Sequence, residues 1–136
     1  MTNDHSIRAV IFDMGGVLIQ TQDRTPRRKW EIQLGLKEGE LSAIVFGSDV
    51  AARAMIGQAT EEQVWQDVAR RLNLNNDQLE KLIADFWSCD DQDHELVRFA
   101  QSLQPKFKTA ILSNAYSGAR QSVSDNFQFD VIFNPM

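Results

Sequence analysis

The stretch Arg8 to Ile19, reading Arg-Ala-Val-Ile-Phe-Asp-Met-Gly-Gly-Val-Leu-Ile, constrains the fold of this chain more than any other. Ala9 to Phe12 form an unbroken apolar run that ends at the carboxylate of Asp13, and Gly15 and Gly16 follow at once. A short apolar run closed by glycines reads as a strand buried in a parallel sheet. A carboxylate at the carboxyl end of such a strand stands where open α/β sheets bind ligands. The two glycines let the backbone turn sharply and approach a ligand with no Cβ in the way.

The composition narrows the class of function. The chain has 136 residues, the size of one domain, with 43% hydrophobic and 24% charged residues. Its net charge of −5, from 19 acidic against 14 basic residues, argues against nucleic-acid binding, which calls for a basic patch. An anionic substrate remains compatible, because backbone N–H groups and a metal can make one site locally positive. The single Cys89 cannot form an intrachain disulfide and fits a reducing cytoplasm; its neighbours Asp90 and Asp91 oppose thiolate formation. Met1 to Ser6 are polar and lack the apolar core of a signal peptide, and His5 lies in that tail as a solvated residue. No apolar run approaches the ~18 residues of a membrane span.

The rest of the chain alternates helical and strand patterns. Thr25-Pro26 predicts a helix start with Thr25 as N-cap, and Gly35 its stop. Leu41, Ile44 and Val45 predict a short helix, and Ser48 or Asp49 opens another over Val50 to Ile56. Thr60 with Gln63, and Asn75 with Gln78, are capping-box pairs. The helices they open carry apolar faces of Val64, Trp65, Val68 and Leu72, and of Leu79, Leu82, Ile83 and Phe86. The acidic stretch from Ser88 to Asp93 reads as a solvated loop with an N-cap for a helix over 94–103, His94 being a surface residue at its start. Phe107 to Leu112 reads as a second strand ending at Ser113-Asn114, Tyr116 to Ser124 as a helix, and Phe129 to Phe133 as a third strand. Strands alternating with helices imply right-handed βαβ units and a parallel sheet.

Two of these stretches resemble motifs I and II of the haloacid dehalogenase-like hydrolases. The Phe-Asp-x-Gly-Gly-Val-Leu run at 12–18 is similar to motif I, and Ile111-Leu112-Ser113-Asn114 to motif II. The resemblance implies a Rossmann-like parallel core of residues 1–19 and 91–136, and a helical cap of residues 20–90 inserted after the first strand. It implies that Asp13 is the nucleophile, and that Asp13 and the carbonyl of Gly15 ligate Mg2+. Met14 and Gly15 through their N–H groups, with Ser113 and Asn114, would hold a phosphate. The implied reaction is hydrolysis of a small phosphorylated metabolite through an aspartyl-phosphate on Asp13. Arg24, Trp30 and Arg53 are candidate substrate contacts on the cap, Trp30 doubling as a core residue.

The sequence departs from that pattern twice. Gly15 stands where phosphatases of the family carry a second Asp that protonates the leaving group. The lysine of motif III and the acidic pair of motif IV normally follow the third strand, where this sequence reaches Met136. The core is therefore expected to be incomplete, as in a C-terminally truncated chain, with strand 7–12 at an exposed sheet edge able to self-associate. Two other readings stay open: a dehalogenase-like hydrolase that also uses Asp13, and a non-catalytic domain.

Overall fold

The computed structural model describes residues 6–133, and His5 lies outside them. The chain divides into two units: one of residues 1–20, 92–113 and 120–136, the other of residues 21–91 and 114–119.

The first unit is an α/β layer. Strand β1 (Ala9–Phe12) pairs in parallel with a later strand over Lys108–Ile111, in the register Ala9 to Lys108 and Phe12 to Ile111. One face of this pair is covered by three helices, over His94–Ser102, Ala119–Phe127 and Phe129–Ile132. Phe12, Leu18, Val97, Ala100, Val123, Phe129 and Phe133 form the core between them. Asp93 opens the first of these helices, its Oδ1 accepting the Leu96 N–H at 2.9 Å.

The expected third strand over Phe129–Phe133 is instead a short helix. A strand would place Phe129, Val131 and Phe133 on one face, but Val131 is 78% exposed while both phenylalanines are buried. Spacing of three and four residues puts Phe129, Ile132 and Phe133 against the core together. The stretch is apolar at both periods, so tertiary packing decides between them.

The second unit is helical. Its helices are α1 (Thr25–Leu34), α2 (Glu40–Phe46), α3 (Asp49–Met55), α4 (Glu61–Leu72) and α5 (Asn76–Ser88). Thr60 and Asn75 close the two expected capping boxes with Gln63 and Gln78. Ser48 caps α3 through the Ala51 N–H at 3.0 Å. Thr25, however, is the first helical residue and not the cap; the exposed Asp23 accepts its N–H at 2.9 Å. A bond from the Thr25 side chain, and then this backbone bond, hold the Asp23 carboxyl below its ordinary value. Trp30 is core, its Nε1 donating to Asp85 at 2.8 Å. The chain crosses between the units at 20/21 and 91/92, both within a ribbon of β2 (Ile19–Thr21) paired with β3 (Asp90–Gln92). In numbering order the remaining elements are α6 (His94–Ser102), β4 (Lys108–Ile111), α7 (Ala119–Phe127) and α8 (Phe129–Ile132).

Candidate active site

The site is built where β1 and β4 end. Leu112 N–H donates to the Phe12 carbonyl at 3.0 Å, which carries the ladder one step past the Phe12–Ile111 pair. Continuing that register sets Asp13 level with Leu112 and Met14 level with Ser113. Asp13 and Ser113 therefore leave the carboxyl ends of adjacent parallel strands, the position at which open α/β sheets bind ligands.

Asp13 is exposed, and its Oδ1 accepts the Met14 N–H at 2.7 Å. The Met14 donor is thus directed at the Asp13 carboxylate itself. Gly15 sits in a tight loop: Gly16 N–H donates to the Ile19 carbonyl at 2.8 Å, and Ile19 N–H to the Met14 carbonyl at 3.0 Å. This bridge is closed by the neighbours of Gly15 and leaves the N–H and carbonyl of Gly15 unused among the described residues. Gly16 has φ +75°, which only glycine adopts readily, and so makes the turn. A Cβ at Gly15 would meet nothing within 4 Å.

Ser113 is half-buried, and its hydroxyl makes no hydrogen bond among the described residues. It does not cap a helix, because α7 begins only at Ala119. The donors expected at Ser113 and Asn114 come from an extended segment, so no helix dipole assists them. Asn114 is exposed and opens the short segment 114–119 that groups with the helical unit.

Asp13 and the Gly15 carbonyl are hard oxygen donors, the right chemistry for Mg2+, and both residues are exposed. They are two oxygens, and no group of three acidic, histidine or cysteine side chains that could hold a metal occurs among the described residues. The acidic stretch is not such a group: Asp90 pairs with Arg27 at 2.8 Å and Asp93 caps α6. Cys89 is buried, and burial pushes its thiol pKa up. No described helix is long and apolar enough to cross a membrane.

No protein-family model matches the chain, and no curated protein does. Solved structures do match. A haloacid dehalogenase-like family hydrolase from Porphyromonas gingivalis aligns over 94% of this chain with a TM-score of 0.64 at 18% identity. An enzyme of that family from Bacteroides thetaiotaomicron, in complex with magnesium and inorganic phosphate, aligns over 95% with a TM-score of 0.72 at 16% identity. The fold is that of the haloacid dehalogenase-like hydrolases. The L-2-haloacid dehalogenase from Xanthobacter autotrophicus, with chloropropionic acid covalently bound, aligns over 95% with a TM-score of 0.64 at 19% identity. This chain spans 64%, 67% and 55% of the lengths of those three proteins. The likeness thus extends over both units, and the stretches 12–18 and 111–114 each begin at the last residue of one of the paired strands, β1 and β4.

Proposed function

We propose that this chain carries the nucleophile and phosphate-binding groups of a magnesium-dependent phosphatase acting on a small phosphorylated metabolite. The observation that carries the reading is the pairing of β1 with β4, which brings Asp13 and Ser113 to one end of one sheet. The magnesium and phosphate complex of the Bacteroides thetaiotaomicron structure supports it.

Asp13 attacks phosphorus through a carboxylate oxygen, the new O–P bond forms, and the bond from phosphorus to the leaving alcohol breaks. Gly15 has no proton to give, so the departing alkoxide takes its proton from water. A second water hydrolyses the aspartyl-phosphate, releasing phosphate and restoring the carboxylate. The N–H groups of Met14 and Gly15, the Ser113 hydroxyl and the Asn114 N–H hold the phosphoryl oxygens. For Met14 this requires its N–H to turn from Asp13 to the ligand. Asp13 and the Gly15 carbonyl would hold Mg2+, which supplies charge neutralisation at the phosphoryl group when bound. Two protein oxygens leave most of its coordination to water, so weak metal affinity and slow turnover are expected of these residues alone. The helical unit serves as a cap, and the unpaired Cys89 suits a cytoplasmic setting.

A second reading has its own support. Displacement of halide from carbon by Asp13 needs no leaving-group acid, which agrees with Gly15, and a haloacid dehalogenase shares the fold. The deciding experiment measures phosphate release from sugar and nucleotide monophosphates, and halide release from 2-haloacids, with and without magnesium. Phosphate release that needs both magnesium and Asp13 supports the first reading. Halide release abolished by Asp13→Asn supports the second. A folded protein with neither activity would place the chain among non-catalytic domains.

A further inference from the structure

The segment 114–119, which follows directly on Ser113, has little structure of its own. Among the described residues it makes one backbone hydrogen bond within itself, from the Ala119 N–H to the Tyr116 carbonyl at 3.0 Å. A loop so sparsely bonded keeps one shape only when side chains tie it down. Three consecutive residues do so, all within the helical unit to which the segment belongs. Tyr116 is 7% exposed, donates its hydroxyl to the Val45 carbonyl at 2.9 Å and stacks its ring on Phe46. The Ser117 hydroxyl accepts the Glu61 N–H at 3.3 Å. Gly118 runs so close to Glu61 that an added Cβ would stand 2.6 Å from its carboxylate oxygen. That carboxylate is itself held, its Oε1 accepting from Trp65 Nε1 at 3.4 Å.

The seat uses groups that helices leave without an internal partner. The Val45 carbonyl is one of the last four of α2, and the Glu61 N–H one of the first four of α4. Each gains its partner by holding the segment. Asn114 stands midway between two fixed points. Two residues before it, Leu112 is bonded to Phe12 at 3.0 Å; two residues after it, Tyr116 is seated on Val45. Two residues of chain span at most ~7 Å, so both anchors limit where the Asn114 N–H can go. We infer that Tyr116 is a positioning residue for the phosphate site: its seat on the end of α2 sets the place of the Asn114 N–H that receives a phosphoryl oxygen. The inference rests on the phosphatase reading above. Tyr116 acts through Asn114 and not on the ligand. It raises the fraction of chains whose donor is already in place, and the apparent phosphate affinity rises with that fraction. The coupling is reciprocal, so bound phosphate favours the seated segment.

Titration of the 136-residue chain with inorganic phosphate in the presence of magnesium, followed by amide NMR, tests this. Tyr116→Ala removes both the hydroxyl bond and the ring contact, and should weaken phosphate binding at least about tenfold. Tyr116→Phe keeps the ring and should recover part of that loss. Arg27→Met lowers the stability of the same unit away from the seat, and should bind phosphate as the unaltered chain does. A merely structural role for Tyr116 would move stability and leave the phosphate affinity of the folded variant alone. Tyr116→Ala that folds and binds phosphate unchanged therefore overturns the inference and leaves the phosphatase reading standing. An equal loss of affinity in Arg27→Met overturns it too. An unaltered chain that takes up no phosphate overturns the phosphatase reading and this inference together. Circular dichroism checks that the variants fold. Should Tyr116→Ala unfold, amide exchange in the unaltered chain decides: phosphate must slow exchange of the Ala119 N–H, and exchange indifferent to phosphate overturns the inference.

Discussion

Tyr116 donates its hydroxyl to the carbonyl of Val45 at 2.9 Å, joining residues 71 positions apart, and its ring stacks on Phe46 at 6.0 Å. The bond holds the segment after Ser113 and Asn114 on the helical unit. Burial, with a smaller contribution from Glu61, pushes the phenol up to about 12.

That shift has a defined sign. The folded state keeps the phenolic proton more tightly than the unfolded chain, so stability is fully present below about pH 10 and falls as pH rises from there toward 12. The loss is on the order of 2–3 kcal/mol. Tyr116 is the single tyrosine, so tyrosinate absorbance reports it alone. A titration near the free phenol value in the folded protein would contradict the burial seen here. Tyr116→Phe should flatten this part of the alkaline stability profile.

Arg27 makes a second long-range tie. Its guanidinium meets Asp90 at 2.8 Å, donates through Nε to the Phe86 carbonyl at 3.0 Å, and lies 4.0 Å over the Phe86 ring. Asp90 also accepts from the Thr21 hydroxyl at 2.8 Å. The pair is 12% and 17% exposed, so removing one partner should cost about 2–3 kcal/mol, below the figure for a fully buried pair. Thermal unfolding of Arg27→Met should show that loss as a drop of several degrees, and Asp90→Asn, which keeps the Thr21 bond, a smaller one. Equal effects would mean that the Phe86 contacts of Arg27 contribute little.

What was legible in the sequence was local. The capping boxes at Thr60–Gln63 and Asn75–Gln78 use residues three apart, and both form as read. β1, β4 and the glycine stop at Gly35 were equally legible, because each follows from a short run or a single left-handed residue. Two of the misreadings share one cause: a distant residue decides. The helix expected from Tyr116 begins at Ala119, because Tyr116 is spent on Val45 and Phe46, far off in sequence. Phe129 to Phe133 fits either period and turns helical only by packing on the core. At the candidate site, the types of Asp13 and Ser113 could be read from the motifs. That Met14 directs its N–H at Asp13, and that the Gly15 groups stay unused, is backbone geometry that no residue type announces.

Ser113 offers a clean separation of binding from stability. Its hydroxyl makes no bond among the described residues, so Ser113→Ala should change stability by no more than about 0.5 kcal/mol. Where phosphate release is measurable, the variant should lose one donor to the phosphoryl oxygens and fall about tenfold or more in kcat/KM. Unchanged kinetics would remove Ser113 from the proposed phosphate site. A large stability loss would mean that the hydroxyl has a structural partner.

Gly15 is the position where the proposed chemistry can be improved. Its φ lies outside the left-handed region, and an added Cβ would meet nothing within 4 Å, so Gly15→Asp should fold without strain. The new carboxyl would stand two residues after Asp13, where it can protonate a leaving alcohol and then activate water. General acid–base help of this kind is worth ~10²–10⁴ in rate, so even a slow phosphatase should gain measurably from it. The gain should appear in kcat, and should be larger for esters of poor leaving alcohols than for activated aryl phosphates, which depart unprotonated. Halide release, which has no leaving oxygen to protonate, should gain nothing. A variant that folds, binds phosphate as before and shows no gain with poor leaving groups would mean that the chemistry at Asp13 is limited by something other than the missing acid. The two metal oxygens supplied by Asp13 and Gly15 would then be the first place to look, since the substitution leaves both in position.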